Sequence, residues 1–173
     1  MQWRRNYSEW REREGIIEPI EHSDWASPVM CVPKEDGTIR LCGDYKRTLN
    51  PNCCVDQYPL PRVDEMLASL AGCKRFSKID LSRAYLQLNL DSESRQYTTL
   101  NTHKGLFRFT RLPFGVASAS PIFQRTIEGV LRGIEHVLVR ADDILVSGLD
   151  DDEHFRNLRE VLDRLHQAGL RVK

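Results

Sequence analysis

Three carboxylates in this chain sit where apolar strand runs end. Asp142 and Asp143 are adjacent, between His136-Val137-Leu138-Val139-Arg140 and Ile144-Leu145-Val146-Ser147, and Asp80 closes Phe76-Ser77-Lys78-Ile79-Asp80, 62 positions before Asp142. Acids at a hairpin tip are ordinarily solvated turn formers. A second acid at the end of another apolar strand opens a different reading, because strand ends of one sheet can bring such groups together. Clustered carboxylates repel unless cations neutralise them, and oxygen ligands with waters are what Mg²⁺ prefers. Two such ions about 3.5–4 Å apart activate an attacking oxygen and stabilise a leaving one in phosphoryl transfer. Spacing alone leaves turn formation and metal chemistry both open.

The elements that would position these acids follow from periodicity. Residues 10–15 read as the last turns of a helix closed by Gly15. Pro28–Pro33 and Ile39–Cys42 flank Asp36-Gly37, a dipeptide suited to a tight hairpin turn, and this hairpin carries Lys34 and Arg40. Residues 50–62, with Pro51, Pro59 and Pro61, predict an extended connector. Apolar residues at 63, 66, 67 and 70 predict a helix ended by Gly72. Phe76–Asp80 reads as a strand and Ser82–Gln87 as a short turn or helix. Tyr97–Thr102 and Leu106–Arg111 predict a second hairpin, residues 121–131 a helix with Pro121 in its first turn, and residues 136–147 a third hairpin with the paired acids at its tip. Asp151–Ala168 predicts an amphipathic helix with apolar residues at 155, 158, 161, 162 and 165. Leu170–Lys173 starts a strand without a partner. Helices alternating with antiparallel hairpins imply an α+β fold, an antiparallel sheet with helices packed on one face.

Composition bounds what such a fold can be. The chain has 173 residues, 25 Lys and Arg against 25 Asp and Glu, and 40% apolar residues, which fits one globular domain rather than a basic tail or a disordered segment. No apolar run reaches the roughly 20 residues of a bilayer span, and the N-terminus lacks an apolar signal core, so an intracellular protein with no membrane partner is expected. Zero net charge opposes a polyanion partner unless the charges are segregated. Cys31, Cys42, Cys53, Cys54 and Cys73 show no metal-finger spacing and are expected to be reduced and mostly buried.

Six ordered segments carry a resemblance: Trp25–Val29, Asp36–Lys46, Tyr58–Arg62, Phe76–Leu88, Leu112–Val116 and Asp142–Val146. Together they resemble the reverse transcriptase of gypsy-type long-terminal-repeat retrotransposons. The resemblance implies a right-hand polymerase, with residues 1–72 mostly fingers and 73–173 mostly palm, a fingers segment returning near 81–125, and the thumb absent. Asp80, Asp142 and Asp143 match the catalytic carboxylates, and with the Leu81 carbonyl they would hold two Mg²⁺, or Mn²⁺ in substitution. The implied reaction is attack of a primer 3′ hydroxyl on the α-phosphate of a deoxynucleoside triphosphate, directed by an RNA or DNA template. By the same resemblance Lys34 and Arg40 would bind the triphosphate, a fixed donor fork suiting phosphate oxygens; exposed cations on a hairpin are otherwise plain solvated charge. Tyr85 would be the gate beneath the sugar, or else a packed core aromatic. Phe114 and Gly115 would border the incoming nucleotide, and Gln124 the template strand. The element would work in a cytoplasmic particle or the nucleus.

One position departs from the family pattern. Two residues before the paired acids, where the family usually has an aromatic, stands Arg140, which would either pair with the acids and compete with Mg²⁺ or reach the primer phosphates. The thumb, connection and ribonuclease H regions of a longer polyprotein are also outside this sequence. The alternative to a polymerase is therefore an impaired retrotransposon remnant or nucleic-acid-binding module that keeps the fold.

Overall fold

The computed structural model describes residues 14–33, 39–54, 58 and 62–173. Its strands are β1 (Ile17–Ile20), β2 (Ser27–Pro33), β3 (Ile39–Gly43), β4 (Arg75–Asp80), β5 (Leu100–Thr102), β6 (Gly105–Phe109), β7 (Val137–Arg140) and β8 (Asp143–Gly148), and its α-helices are α1 (Val63–Ser69), α2 (Ala119–Leu131) and α3 (Asp151–Gln167). The chain divides into two compact units, Met1–Val55 with Leu88–Ala119 and Asp56–Gln87 with Ser120–Lys173. The architecture is α+β. No helix among the described residues is long and apolar enough to cross a membrane.

The first unit is built on a sheet of order β1-β6-β5-β2-β3. β2 and β3 pair antiparallel from Val29 opposite Gly43 to Pro33 opposite Ile39, while their predicted Asp36-Gly37 turn and Lys34 lie outside the described residues, as does the helix expected at residues 10–13. The expected all-antiparallel pairing fails at one seam, because Ser27 and Pro28 pair parallel with Leu100 and Asn101. No tight turn joins β2 to β5; a crossover of many residues does, and such a connection permits parallel pairing. Tyr45 fixes the unit from inside: it is buried and its hydroxyl donates to the Thr98 carbonyl at 3.1 Å. Burial pushes its phenol far above the ordinary range.

The second unit carries a three-stranded antiparallel sheet of order β4-β8-β7. Alternation puts Ile79, Ile144 and Val146 in the core with Val161 and Leu165 of α3, which lies against β8 and β4. Ser77 Oγ and His154 Nε2 are 3.0 Å apart, and Asn157 Nδ2 donates to the Ser147 carbonyl at 2.9 Å. The N-terminus of α3 is capped by Asp150, whose carboxylate accepts from the Glu153 N–H at 2.8 Å, while Glu153 reaches back to the Leu149 N–H at 2.7 Å.

Three further expectations change. The apolar face of α3 is centred on His154, Val161 and Leu165, leaving Phe155 65% and Leu162 41% exposed, because the helix rests on the strands by a narrower stripe than five apolar positions suggest. The chain's last residues do find a partner: Leu81 and Val172 form a bridge, the Ser82 N–H donates to the Arg171 carbonyl, and the Lys173 N–H to the Asp80 carbonyl. The described cysteines are not core residues, since Cys42, Cys53 and Cys73 are half-buried and Cys54 is exposed.

Where α3 crosses the end of β8, Gly148 is required by space. A Cβ there would lie 2.5 Å from the backbone nitrogen of His154 and 2.8 Å from its Cα, atoms that cannot swing aside. Gly148→Ala should cost about 1–3 kcal/mol. Gly129→Ala, on the exposed side of α2 with nothing within 4 Å, should gain up to about 1 kcal/mol. Thermal denaturation of the two variants should shift in opposite directions.

Candidate functional site

In the second unit the β4–β8 register sets Asp80 directly opposite Asp143, and the β7–β8 register sets Arg140 opposite Asp143. Alternation then puts Lys78 on the same face of β4 as Asp80. Asp142 occupies the two-residue turn between Arg140 and Asp143, and its carbonyl accepts the Leu81 N–H at 3.0 Å, tying the turn to the end of β4. The sequence-predicted acids therefore share one end of one sheet.

Like charges directly opposite on neighbouring strands are destabilising, and two ammonium groups offset them here. Lys78 Nζ lies 2.9 Å from Asp143 Oδ2, and Lys173 Nζ lies 2.5 Å from Asp80 Oδ2. The Lys78 ammonium is held above its ordinary range by its hydrogen bond to Asp143 and that carboxylate's charge, with Asp80 and Asp142 adding to the effect. Asp80 Oδ1 is buried and has no hydrogen-bond donor. An anionic oxygen left without a donor beside other carboxylates suits a hard cation. The three aspartates nonetheless do not form a closed ligand set, their ligand atoms not all lying within 4.8 Å of one another. Among the described residues the three-ligand group whose atoms lie within 4.8 Å of one another is Glu135, His136 and Glu153.

The other predicted residues fall as follows. The Leu81 carbonyl accepts only a long contact, 3.5 Å, from the Ala84 N–H. Arg83 and Ala84 follow with φ of 61° and 33°, so the chain turns sharply after Asp80. Tyr85, half-buried, meets Phe123 edge to face with ring centroids 5.3 Å apart. Arg140 is exposed, and among the described residues no ion pair joins it to an acid; of its two expected placements, pairing with the acids is not seen, and the cations paired with the acids are Lys78 and Lys173. Gln124, expected at the template strand, is fully buried instead. Both amide hydrogens are committed, to the Val139 carbonyl and to Glu128, and the amide oxygen accepts from the Ala141 N–H. In the first unit, Phe114 is half-buried and Gly115 has φ of +98°. Asn50 grips this loop, donating to the Gly115 carbonyl at 3.0 Å and accepting from the Ala117 N–H at 2.9 Å. A Cβ on Gly115 would come within 2.9 Å of the Gly43 carbonyl oxygen. The backbone of Arg40, on β3, pairs opposite Val32 of β2.

Residues 32–173 match the family model described as reverse transcriptase (RNA-dependent DNA polymerase). The chain belongs to the reverse transcriptase family. It is 38% identical over 169 residues to the retrovirus-related Pol polyprotein from transposon opus of Drosophila melanogaster, covering 92% of this chain and 16% of the polyprotein. Among solved structures it resembles the prototype foamy virus protease-reverse transcriptase, with a TM-score of 0.84 and 29% identity over 94% of this chain and 22% of the viral one. A foamy viral protease-reverse transcriptase in complex with an RNA/DNA hybrid also superposes with a TM-score of 0.84, at 26% identity over the same 94% and 22% shares. The chain thus spans less than a quarter of the length of these relatives.

Within this reverse transcriptase fold, sequence reasoning missed both lysines at the acids. Lys78 was legible by alternation, being two residues before Asp80 on one strand. Lys173 had no local signal, since only the Leu81–Val172 bridge brings it to Asp80. The Glu135, His136 and Glu153 group was missed too, and its geometry is accounted for by helix capping: His136 Nδ1 lies 3.0 Å from Glu153 Oε1 while the other carboxylate oxygen takes the Leu149 N–H.

The Glu153 carboxyl lies below its ordinary value of 4.5, first because of the Leu149 N–H and then through its hydrogen bond to His136. A folded-state value below the unfolded one contributes stability that is complete above pH 4.5 and disappears as pH falls through the lower folded value. Glu153→Gln should therefore unfold at lower temperature than the parent at pH 7, and the gap should narrow in thermal scans taken at progressively lower pH below 4.5.

Proposed function

We propose that this chain is the fingers and palm of an RNA-directed DNA polymerase and that Asp80, Asp142 and Asp143 carry its nucleotidyl transfer. The observation that supports this best is the register pairing of Asp80 with Asp143, with Asp142 in the adjoining turn and a donorless Asp80 Oδ1 beside them. On this reading the unit holding residues 56–87 and 120–173 is the palm, and the unit of β1, β2, β3, β5 and β6 is the fingers.

The three aspartates and the Leu81 carbonyl would hold two Mg²⁺ ions, which when bound supply charge neutralisation for the attacking and leaving oxygens. Asp80 would give up its Lys173 partner, and Asp143 its Lys78 partner, as cation charge replaces ammonium charge. Tyr85 would face the deoxyribose, its ring held upright by the edge contact with Phe123. Phe114 and Gly115 would border the incoming nucleotide, with Asn50 keeping that loop in shape. Lys34 and Arg40 would grip the triphosphate, and the exposed Arg140 would reach towards primer phosphates. The partners would be an RNA or DNA template-primer, a deoxynucleoside triphosphate and the remaining regions of a longer polyprotein. The work would take place in a cytoplasmic particle or the nucleus.

Primer extension on an RNA template with Mg²⁺ tests this. Asp80→Asn and Asp142→Asn should each abolish extension while leaving the circular dichroism spectrum intact; extension that survives both substitutions overturns the proposal. Restoring an aromatic by Arg140→Tyr should raise extension several-fold, since it exchanges a free cation beside the acids for a group that packs. Equal extension rates would show that Arg140 is tolerated.

A further inference from the structure

The turn that carries Asp142 hangs from an edge strand. β7 lies at the margin of the sheet, so among the described residues the groups along its outer side have no strand to pair with. At the last two such groups before Asp142, one side chain takes the place of the missing strand. Gln124 Nε2 donates to the Val139 carbonyl at 2.7 Å, and Gln124 Oε1 accepts the Ala141 N–H at 2.8 Å. The remaining amide hydrogen goes to Glu128 Oε1 at 2.6 Å, one turn along α2, and the other Glu128 oxygen accepts from the Tyr58 hydroxyl. Gln124 is 0% exposed, so water cannot substitute for it.

The chemistry demands this residue type. A primary amide presents N–H donors and a carbonyl acceptor in one plane, as strand backbone does; a carboxylate lacks the donors, and a thioether has no donor and only a weak acceptor. Ala141 also has φ of 54°, a conformation that residues with a Cβ hold only when the surroundings fix it. The hydrogen bond from Ala141 to Gln124 is such a fixture, adjacent in sequence to Asp142.

We propose that Gln124 is a positioning residue of the catalytic hairpin, holding Ala141 in its left-handed conformation and thereby setting where Asp142 and Asp143 present their oxygens. It touches no substrate and acts through the β7–β8 turn; its effect on metal affinity rests on the function proposed above.

Gln124→Met keeps the volume of the side chain but leaves the Val139 carbonyl and the Ala141 N–H unpaired. In the 173-residue chain, hydrogen exchange at the Ala141 amide should quicken by about tenfold, with α3 and β4 protected to within about twofold of the parent. The Mn²⁺ dissociation constant, read by electron paramagnetic resonance titration, should rise by about tenfold. Glycine holds a positive φ without help, so in an Ala141→Gly background the same substitution should raise that constant by less than about threefold. Unchanged exchange at Ala141, an equal loss of protection throughout α3 and β4, or a full tenfold effect in the glycine background would each overturn the proposal. Asp142→Asn serves as the separate control: if it leaves Mn²⁺ binding untouched, the metal reading of the site fails, while the exchange data still decide the role of Gln124.

Discussion

Two aspartates held directly opposite each other on neighbouring strands are the constraint around which the second unit is organised. Hydrogen-bonded register leaves Asp80 and Asp143 no freedom to separate their backbones, so their repulsion must be met by something nearby. Unit charges 4 Å apart interact by about 1 kcal/mol in water and about 4 kcal/mol at an effective dielectric constant near 20. With side chains 38% and 49% exposed, Asp80 and Asp143 lie nearer the smaller figure, an amount two ammonium partners readily offset. The arrangement is therefore affordable without a metal and still open to one. Exposed lysine pairs contribute little net stability, so the partners of the two carboxylates are weakly held, as the metal site proposed above requires.

The source of each lysine shows how local and distant structure cooperate. Lys78 comes with β4 itself, two residues from Asp80, and could not be elsewhere if the strand forms. Lys173 is delivered by a backbone bridge from the segment after α3, whose own placement depends on Gly148 admitting the helix backbone and on Asp150 and Glu153 capping its first turn. The electrostatic state of Asp80 is in this way linked to packing at the opposite end of a 17-residue helix.

Much of this was legible in the sequence because it depends on local rules. Strand β4, the β7–β8 hairpin with its acids and helix α3 follow from alternation, turn chemistry and helical spacing, and the ordered motifs named the family before any geometry was known. What escaped was tertiary. Gln124 is expected near the template strand by resemblance, but nothing local says that its amide turns inward to complete an edge strand. Phe155 and Leu162 fit a helical stripe, yet the width of that stripe is set by how α3 sits on two strands. The parallel β2–β5 seam joins segments some seventy residues apart, beyond the reach of any turn rule.

Burial explains why the geometry of the acids can be held by neutral groups rather than by the acids themselves. A buried, unpaired backbone group costs about 1–3 kcal/mol, more than an exposed ion pair returns. The amide of Gln124, satisfying Val139 and Ala141 out of water, is thus a stronger constraint on the hairpin than either lysine is on a carboxylate. Position and charge are thereby assigned to different parts. The buried amide fixes where the carboxylates point, and the exposed lysines compensate their charge, so on the metal reading proposed above the charge of the site could change while its geometry did not.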